Sequence, residues 1–353
     1  MSETILITGG AGFIGSALVR RLVGEAVWRV VNVDALTYAG NPDSIREVAE
    51  SSAYTFHHLD IVDRSRLRQV VATHRPTAVV HLAAESHVDR SIDAPRRFVQ
   101  ANILGTLSLL EVCTEYWRNL AQGAKARFRL LHVSTDEVFG SLGGGREANE
   151  THPYAPNSPY AATKAAADHL VRAWYRTYGL PALTTTCGNN FGPFQFPEKL
   201  IPHVILRALH REPIPVYGDG RHTRDWIFVE DHVDALRTVL DRGRIGAVYN
   251  IGARCRLENL SVVRAVCDFL DELRPLTDGT SYAALIENVE DRPGHDRRYA
   301  TDPSRIESEL GWKPGKSFGT ALRATVRWYL DNEWWWRRVL DGTYRLERLG
   351  LEA

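Results

Sequence analysis

Through its first half the chain alternates short apolar runs with longer stretches whose apolar positions recur at helical spacing. TILIT precedes GSALVRRLVGE and WRVVNVD; AYTFHHLD precedes RSRLRQVVATH; TAVVHLAA precedes APRRFVQANILGTLSLLEVCTEYW; RFRLLHVS precedes SPYAATKAAADHLVRAWYRTYG. Short, continuously apolar runs suit strands buried on both faces, and strands separated by helices pair in parallel with the helices covering the sheet. The pattern predicts an α/β protein with a doubly wound, Rossmann-type parallel sheet. Beyond about residue 188 it breaks into Pro- and Gly-punctuated pieces, NNFGPFQFPEKLIP, REPIPVYGDGRHT and EDRPGHD. Between them DWIFVEDHVDALRTVL and AVYNIGA read as a return to the sheet. The expected division is a sheet domain over 1–188, rejoined by 225–253, and a smaller, interleaved C-terminal part made of 189–224 and 254–353.

Composition narrows the class without choosing a function. With 353 residues, 43 Lys+Arg and 43 Asp+Glu, the chain can bury a large core and carries no net charge. No basic block invites nucleic acid. Four cysteines, Cys113, Cys187, Cys255 and Cys267, lack a Cys-x-x-Cys spacing, which argues against a disulfide framework or a zinc site, so no metal is expected. There is no signal-peptide pattern and no apolar run long enough to cross a bilayer, so a cytoplasmic protein that does not bind membranes is expected.

The first chemical signal is TGGAGFIGS, with Gly9, Gly12 and Gly15 between a strand and a helix. Glycines allow the tight turn and close approach of the backbone to a pyrophosphate, whose charge the helix N-terminus favours. Asp34 ends the next strand, 19 residues beyond Gly15. A carboxylate there can bond ribose hydroxyls and would repel a 2′-phosphate, favouring NAD over NADP. Asp60 and Ile61, ending the third strand, are placed to meet the adenine. The 1–188 domain is therefore expected to bind NAD.

Two further features carry proton chemistry. Tyr160 and Lys164 lie four residues apart on one helix face, with Ser158 as N-cap and Pro159 in the first helical position. Helix dipole and ammonium would both lower the tyrosine pKa, suiting it to take a proton from an alcohol. HVSTDEVFG sets Asp136 beside Glu137 at the end of a buried strand. That pair is either a solvated turn or an acid and a base facing a substrate.

GGAGFIG, HLAAESHVDRS, STDEVFG, SPYAATK, CGNNFGP and DRPGHDRRYA together resemble the extended short-chain dehydrogenase/reductases. Among these the chain is similar to the nucleotide-sugar 4,6-dehydratases, over about Thr4 to Leu330, with dTDP-glucose the favoured substrate. The resemblance implies oxidation of carbon 4 with bound NAD, loss of water across carbons 5 and 6, and reduction at carbon 6. By analogy Glu137 is the base at carbon 5, Asp136 the acid at the carbon 6 hydroxyl, and Thr135 a hydrogen-bond partner of the carbon 4 oxygen beside Tyr160 and Lys164.

The same resemblance puts Phe13, Ile14, Leu36, Thr37, Leu82, Ala83, Ala84, Ser86 and Asn190 on the cofactor. Ser86, Thr135, Asn189, Glu198, Lys199 and Leu200 would meet the substrate. So would Pro215, Tyr217, Arg224, Asn259, Asp291, His295 and Tyr299, around the nucleotide. Phe139, Gly188, Gln195 and Ala101 depart from the usual pattern. A homodimer is implied through the long helices carrying Asn102 and Tyr160, and Trp334–Trp336 reads as a terminal helix packed on the body with some rings exposed. The alternatives are a 4,6-dehydratase for a UDP- or GDP-sugar, a nucleotide-sugar epimerase, or a non-catalytic NAD-sensing protein. The acidic pair argues against the second, and the full set Thr135, Asp136, Glu137, Tyr160 and Lys164 against the third.

Overall fold

The computed structural model describes residues 3–342. The twelve strands of this span are β1 (Glu3–Thr8), β2 (Trp28–Asp34), β3 (Tyr54–His58), β4 (Ala78–His81), β5 (Arg129–Val133), β6 (Ala182–Cys187), β7 (Asn189–Phe191), β8 (Ile214–Tyr217), β9 (Thr223–Phe228), β10 (Val248–Ile251), β11 (Arg256–Glu258) and β12 (Ile286–Val289). Seven form one parallel sheet in the order β10-β6-β5-β4-β1-β2-β3. The order reverses at β1 and β4, so a crevice opens there at the carboxyl ends of the strands.

Helices cover both faces. Phe13–Gly24 and Val229–Arg242 bury Leu18, Leu22, Val233, Leu236 and Val239 on one face. On the other, Arg64–His74, Gly105–Arg118 and Pro159–Tyr178 bury Leu67, Leu109, Leu110 and Val171. Each such side chain stabilises the fold by about 1.5–3 kcal/mol relative to exposure. Full cover explains why these strands are apolar throughout instead of alternating.

The rest of the chain builds a second core. β7, β9 and β11 form one small sheet, and β8 pairs with β12. Helices Leu200–Leu209, Asn259–Leu273 and Phe318–Asp331 pack around Trp226, Val263 and Tyr329. The stretch expected to return to the large sheet is split. Helix Val229–Arg242 and β10 join it, whereas β9 pairs with β7 and β11, because β7 already carries the chain out of the large sheet. In helix Glu333–Gly342 the rings divide as expected: Trp335 and Trp336 are buried, and Trp334 is exposed. Residues 343–353 of the expected C-terminal part lie outside the described residues.

Candidate active site

The crevice at the strand ends is a cleft, lined from the glycine turn by way of Ser86 to Tyr160 and Lys199. Its floor begins at the glycine turn. Gly9 has φ +76°, and a Cβ there would stand 2.5 Å from the Ala83 amide nitrogen. A Cβ on Gly15 would stand 2.0 Å from the Gly9 carbonyl oxygen. A side chain at either position would collide with backbone, just past the end of β4 or in the turn itself, so the turn closes only with glycine there. Gly12 caps helix Phe13–Gly24 without a side chain, so the first-turn N–H groups remain open to an anion.

Asp34 holds this turn in place. Its Oδ2 accepts from the Ala11 N–H at 2.8 Å and its Oδ1 from the Leu36 N–H at 2.8 Å. Each carboxylate oxygen keeps a further lone pair for a ribose hydroxyl. Burial raises its pKa and the two N–H groups oppose that. Gly9, Gly12, Phe13, Ile14, Gly15, Asp34 and Thr37 line one end of the cleft with Asp60 and Ile61. Leu82, Ala83, Ala84, Ser86 and Asn190 line its middle. A glycine cradle, open helix amides and a carboxylate at the strand end fit a dinucleotide such as NAD. Leu36 does not line the cleft: its backbone, at φ +50°, serves Asp34 instead.

Thr135, Asp136, Glu137, Tyr160, Lys164, Asn189, Glu198 and Lys199 line the other end. Ser158 caps helix Pro159–Tyr178 through the Ala161 N–H, so Tyr160 stands in its first turn as the sequence predicts. Lys164 Nζ donates to the Val133 carbonyl at 2.8 Å. The expected lowering of the tyrosine pKa is not what the protein alone produces. Burial and the Glu137 charge push the Tyr160 phenol well up, and the ammonium is turned to the strand.

The acidic pair sits in a short turn, Asp136–Phe139, capped by the Thr135 hydroxyl on the Glu137 N–H at 3.3 Å. The two carboxyls have different surroundings. Asp136 is 3% exposed, and burial, then Glu137 and Asp225, push its pKa well up. Burial also raises Glu137, but the cations Arg292, Lys199 and Arg224 all pull it back. Burial thus raises both carboxyls, but negative neighbours add to the rise at Asp136 whereas three cations oppose it at Glu137, an asymmetry of the kind an acid and a base need. This is not a solvated turn.

The remaining expected substrate residues do not line the cleft wall; Tyr217, Arg224, Asp291, His295 and Tyr299 lie in a cluster of charged and aromatic side chains beside it. Arg224 lies 4.3 Å over the Tyr299 ring, and the Tyr299 hydroxyl donates to Asp296 at 2.8 Å. The Tyr217 hydroxyl donates to Asp89 at 3.0 Å, and Arg292 pairs with the same carboxylate at 2.6 Å. Asn259 follows β11 with its side-chain oxygen buried and unpaired, Pro215 sits within β8, and Leu200 opens its helix against the second core. Asp291 bridges His222 at 3.1 Å and His295 at 2.6 Å. Those three side chains approach closely enough to hold a cation, but the rings stack at 3.7 Å and 12°. Their lone pairs lie in parallel planes, which favours two hydrogen bonds to one carboxylate over one shared ion.

Sequence reasoning missed several side chains that build the site. Arg292 lies inside the DRPGH stretch but only its ends were named. Asp89 and His222 were not reached, since their partners are remote in sequence. Asp168 could have been found, because it lies four residues after Lys164 on the same helix face.

The family model described as GDP-mannose 4,6 dehydratase matches residues 6–325. A relative from Neisseria meningitidis serogroup B, dTDP-glucose 4,6-dehydratase, is 55% identical over 349 residues, covering 98% of each chain. The solved dTDP-glucose 4,6-dehydratase of Streptomyces venezuelae, with NAD bound, superposes with a TM-score of 0.87 at 41% identity, covering 95% of this chain and 99% of that one. The Thermus thermophilus UDP-glucose 4-epimerase, in complex with NAD, gives 0.80 at 28% identity, covering 93% and 99%. The architecture is thus similar to that of dehydratases and epimerases alike, and the choice between them falls to side chains.

Proposed function

The chain belongs to the GDP-mannose 4,6-dehydratase family, and from that premise we propose that it dehydrates dTDP-glucose to dTDP-4-keto-6-deoxyglucose in deoxysugar biosynthesis. The observation that carries this reading is the unequal acidic pair: a buried Asp136 with negative neighbours beside a Glu137 held among three cations. An epimerase returns its hydrogen to carbon 4 and needs neither group. The dTDP-sugar is preferred over a GDP- or UDP-sugar because relatives named for it match at 55% and 54% identity over nearly the whole chain.

NAD, when bound, accepts the hydrogen from carbon 4 and returns it to carbon 6. The glycine turn and Asp34 would hold it, with the residues along the middle of the cleft. Tyr160 as its phenolate takes the carbon 4 hydroxyl proton; its own proton must leave first, and cationic charge in the cleft beside it would lower its raised pKa toward that state. Thr135 donates to the same sugar oxygen. With a ketone at carbon 4 the carbon 5 proton is acidic, and Glu137 removes it. Asp136 protonates the carbon 6 hydroxyl, which leaves as water. Lys199 and Arg224, both near Glu137, would meet the diphosphate, for which cationic partners are needed. Tyr217, Asn259, His295 and Tyr299 would surround the nucleotide.

The proposed division is an NAD-binding domain over 1–188, rejoined by helix Val229–Arg242 and β10, with the remainder holding the nucleotide sugar. Four unpaired cysteines suit a reducing cytoplasm. A homodimer is supported by Val99 and Leu104, large apolar side chains left exposed at the start of a helical run that packs beside helix Pro159–Tyr178. No helix of the described residues is long and apolar enough to cross a membrane.

The reading is tested by incubation with dTDP-glucose in deuterated water, beside GDP- and UDP-hexoses. The expected product is a 4-keto-6-deoxy sugar carrying deuterium at carbon 5 and formed fastest from dTDP-glucose. A product that keeps its carbon 6 oxygen, or a 4-epimer, overturns it.

A further inference from the structure

Four side chains form a bridge at the edge of the cleft, two of them, Phe196 and Glu198, lining it, and the chemistry above uses none of them. On one bank Tyr38 stands in the turn after β2 and Arg90 in the short helix Val88–Asp93. On the other, Phe196 and Glu198 precede helix Leu200–Leu209. Glu198, expected around the nucleotide, lines the cleft, and its charged group is engaged within the protein. Its carboxylate is paired with the Arg90 guanidinium at 2.8 Å, and its side chain is only 1% exposed. The same guanidinium lies 4.0 Å over the Tyr38 ring. That ring meets Phe196 edge-on at 5.5 Å, and its hydroxyl lies beside Glu198. A buried, charge-paired and ring-stacked contact of this kind resists opening, unlike an exposed ion pair.

The bridge crosses at an informative place. Thr37, Ala39 and Gly40 flank Tyr38, and Phe196 and Lys199 flank Glu198; all line the cleft whose floor is the glycine turn. Asp34 lies four residues before Tyr38 and marks where a ribose would sit. A dinucleotide lying from Asp34 to Tyr160 would share the cleft with Phe196 and Glu198, the two bridge residues that line it. The proposed reaction needs the cofactor held there, because one cofactor molecule must serve both the first oxidation and the last reduction. An enzyme that exchanges its cofactor at every turnover needs an open cleft instead.

We propose that Tyr38, Arg90 and Glu198 form a latch that retains the dinucleotide through turnover, an inference that rests on the NAD-dependent reading above. The test uses the full-length holoenzyme and measures release of labelled NAD into excess unlabelled NAD. Arg90→Gln, Tyr38→Phe and Glu198→Gln are compared with wild type. Arg90→Gln is expected to release NAD on the order of tenfold faster, and added NAD restores its turnover with an unchanged KM for the sugar nucleotide. Tyr38→Phe keeps the ring and shows the smaller acceleration. Release at the wild-type rate in Arg90→Gln and Glu198→Gln overturns the latch, as does a loss of turnover in Arg90→Gln that added NAD does not repair. Arg90 is partly exposed, so its variant remains a test if Glu198→Gln does not fold. A wild-type protein that neither carries nor takes up NAD would refute the NAD-dependent reading instead, so the two failures are distinct.

Discussion

At the scale of single residues, the chemistry turns on an asymmetry between two neighbouring carboxyls. Asp136 has its pKa pushed up by burial and by negative neighbours, whereas Glu137 has three cations offsetting its burial. Turnover should therefore fall on the acid side as Glu137 gains a proton and on the alkaline side as Asp136 loses one, the two limbs belonging to the coupled pair. Asp136→Asn removes the proposed general acid and should lower turnover by about 100-fold or more, while reduction of bound NAD on mixing with substrate persists. A wild-type rate would place the acid elsewhere. The same substitution should move stability with pH in a defined direction. A carboxyl whose folded pKa lies above its unfolded value stabilises fully below the unfolded value, and that stability is lost as pH rises through the folded one. Asparagine carries no such loss. The melting temperature of Asp136→Asn relative to wild type, with NAD saturating in both, should rise from pH 5 to pH 8.

At the scale of elements, one carboxylate fixes the acid–base turn against the tyrosine helix. Asp168 accepts from His132 Nε2 at 3.0 Å, from the Ser134 hydroxyl at 2.7 Å and from the Tyr154 hydroxyl at 2.9 Å. His132 belongs to β5 and Ser134 lies between that strand and Thr135, so the helix of Tyr160 and Lys164 is tied to the turn of Asp136 and Glu137. Asp168 is also the anion nearest the buried Lys164 and supports its charge. Asp168→Asn turns an amide N–H₂ toward these donors, leaving at least one unpaired at about 1–3 kcal/mol each. We expect it to lower both melting temperature and turnover, whereas Tyr154→Phe, which removes a single donor, should cost about 1 kcal/mol and leave turnover near wild type. Equal stability of the two variants would count against this tie. The strands, the Ser158 cap and the glycine turn were legible because each depends on spacing within a few residues. The partner of a charged side chain was not. Glu198 finds Arg90 across 108 residues and Arg292 finds Asp89 across 203, distances over which no local pattern extends.

At the scale of the molecule, the two cores are joined at places the sequence did not advertise. The hydrophobic pattern after residue 188 announced irregular structure, and the small sheets there are built from strands of only three to six residues, too short for a clear period. The three consecutive tryptophans were visible, but which ring would be buried depended on what faced the helix. Trp335 is 1% exposed and packs against Phe194 at 5.5 Å and Trp328 at 5.4 Å. Its Nε1–H donates to the Ser44 hydroxyl at 3.2 Å, and Arg338 pairs with Asp43 at 3.1 Å. Ser44 and Asp43 belong to the turn Pro42–Val48, which follows β2 and leads back to β3 of the large sheet. The terminal helix thus fastens the second core to the cofactor-binding half of the chain. Trp335→Ala removes a large ring from that junction and leaves a cavity, for a cost of about 3–5 kcal/mol. Trp334 is 40% exposed, and Trp334→Ala should change stability by no more than about 0.5 kcal/mol. Denaturant unfolding of the two variants separates these expectations. If the helix is a strap joining both cores, Trp335→Ala should also open the turn at 42–48 to faster hydrogen exchange than wild type, whereas a purely local role would confine the change to the terminal helix.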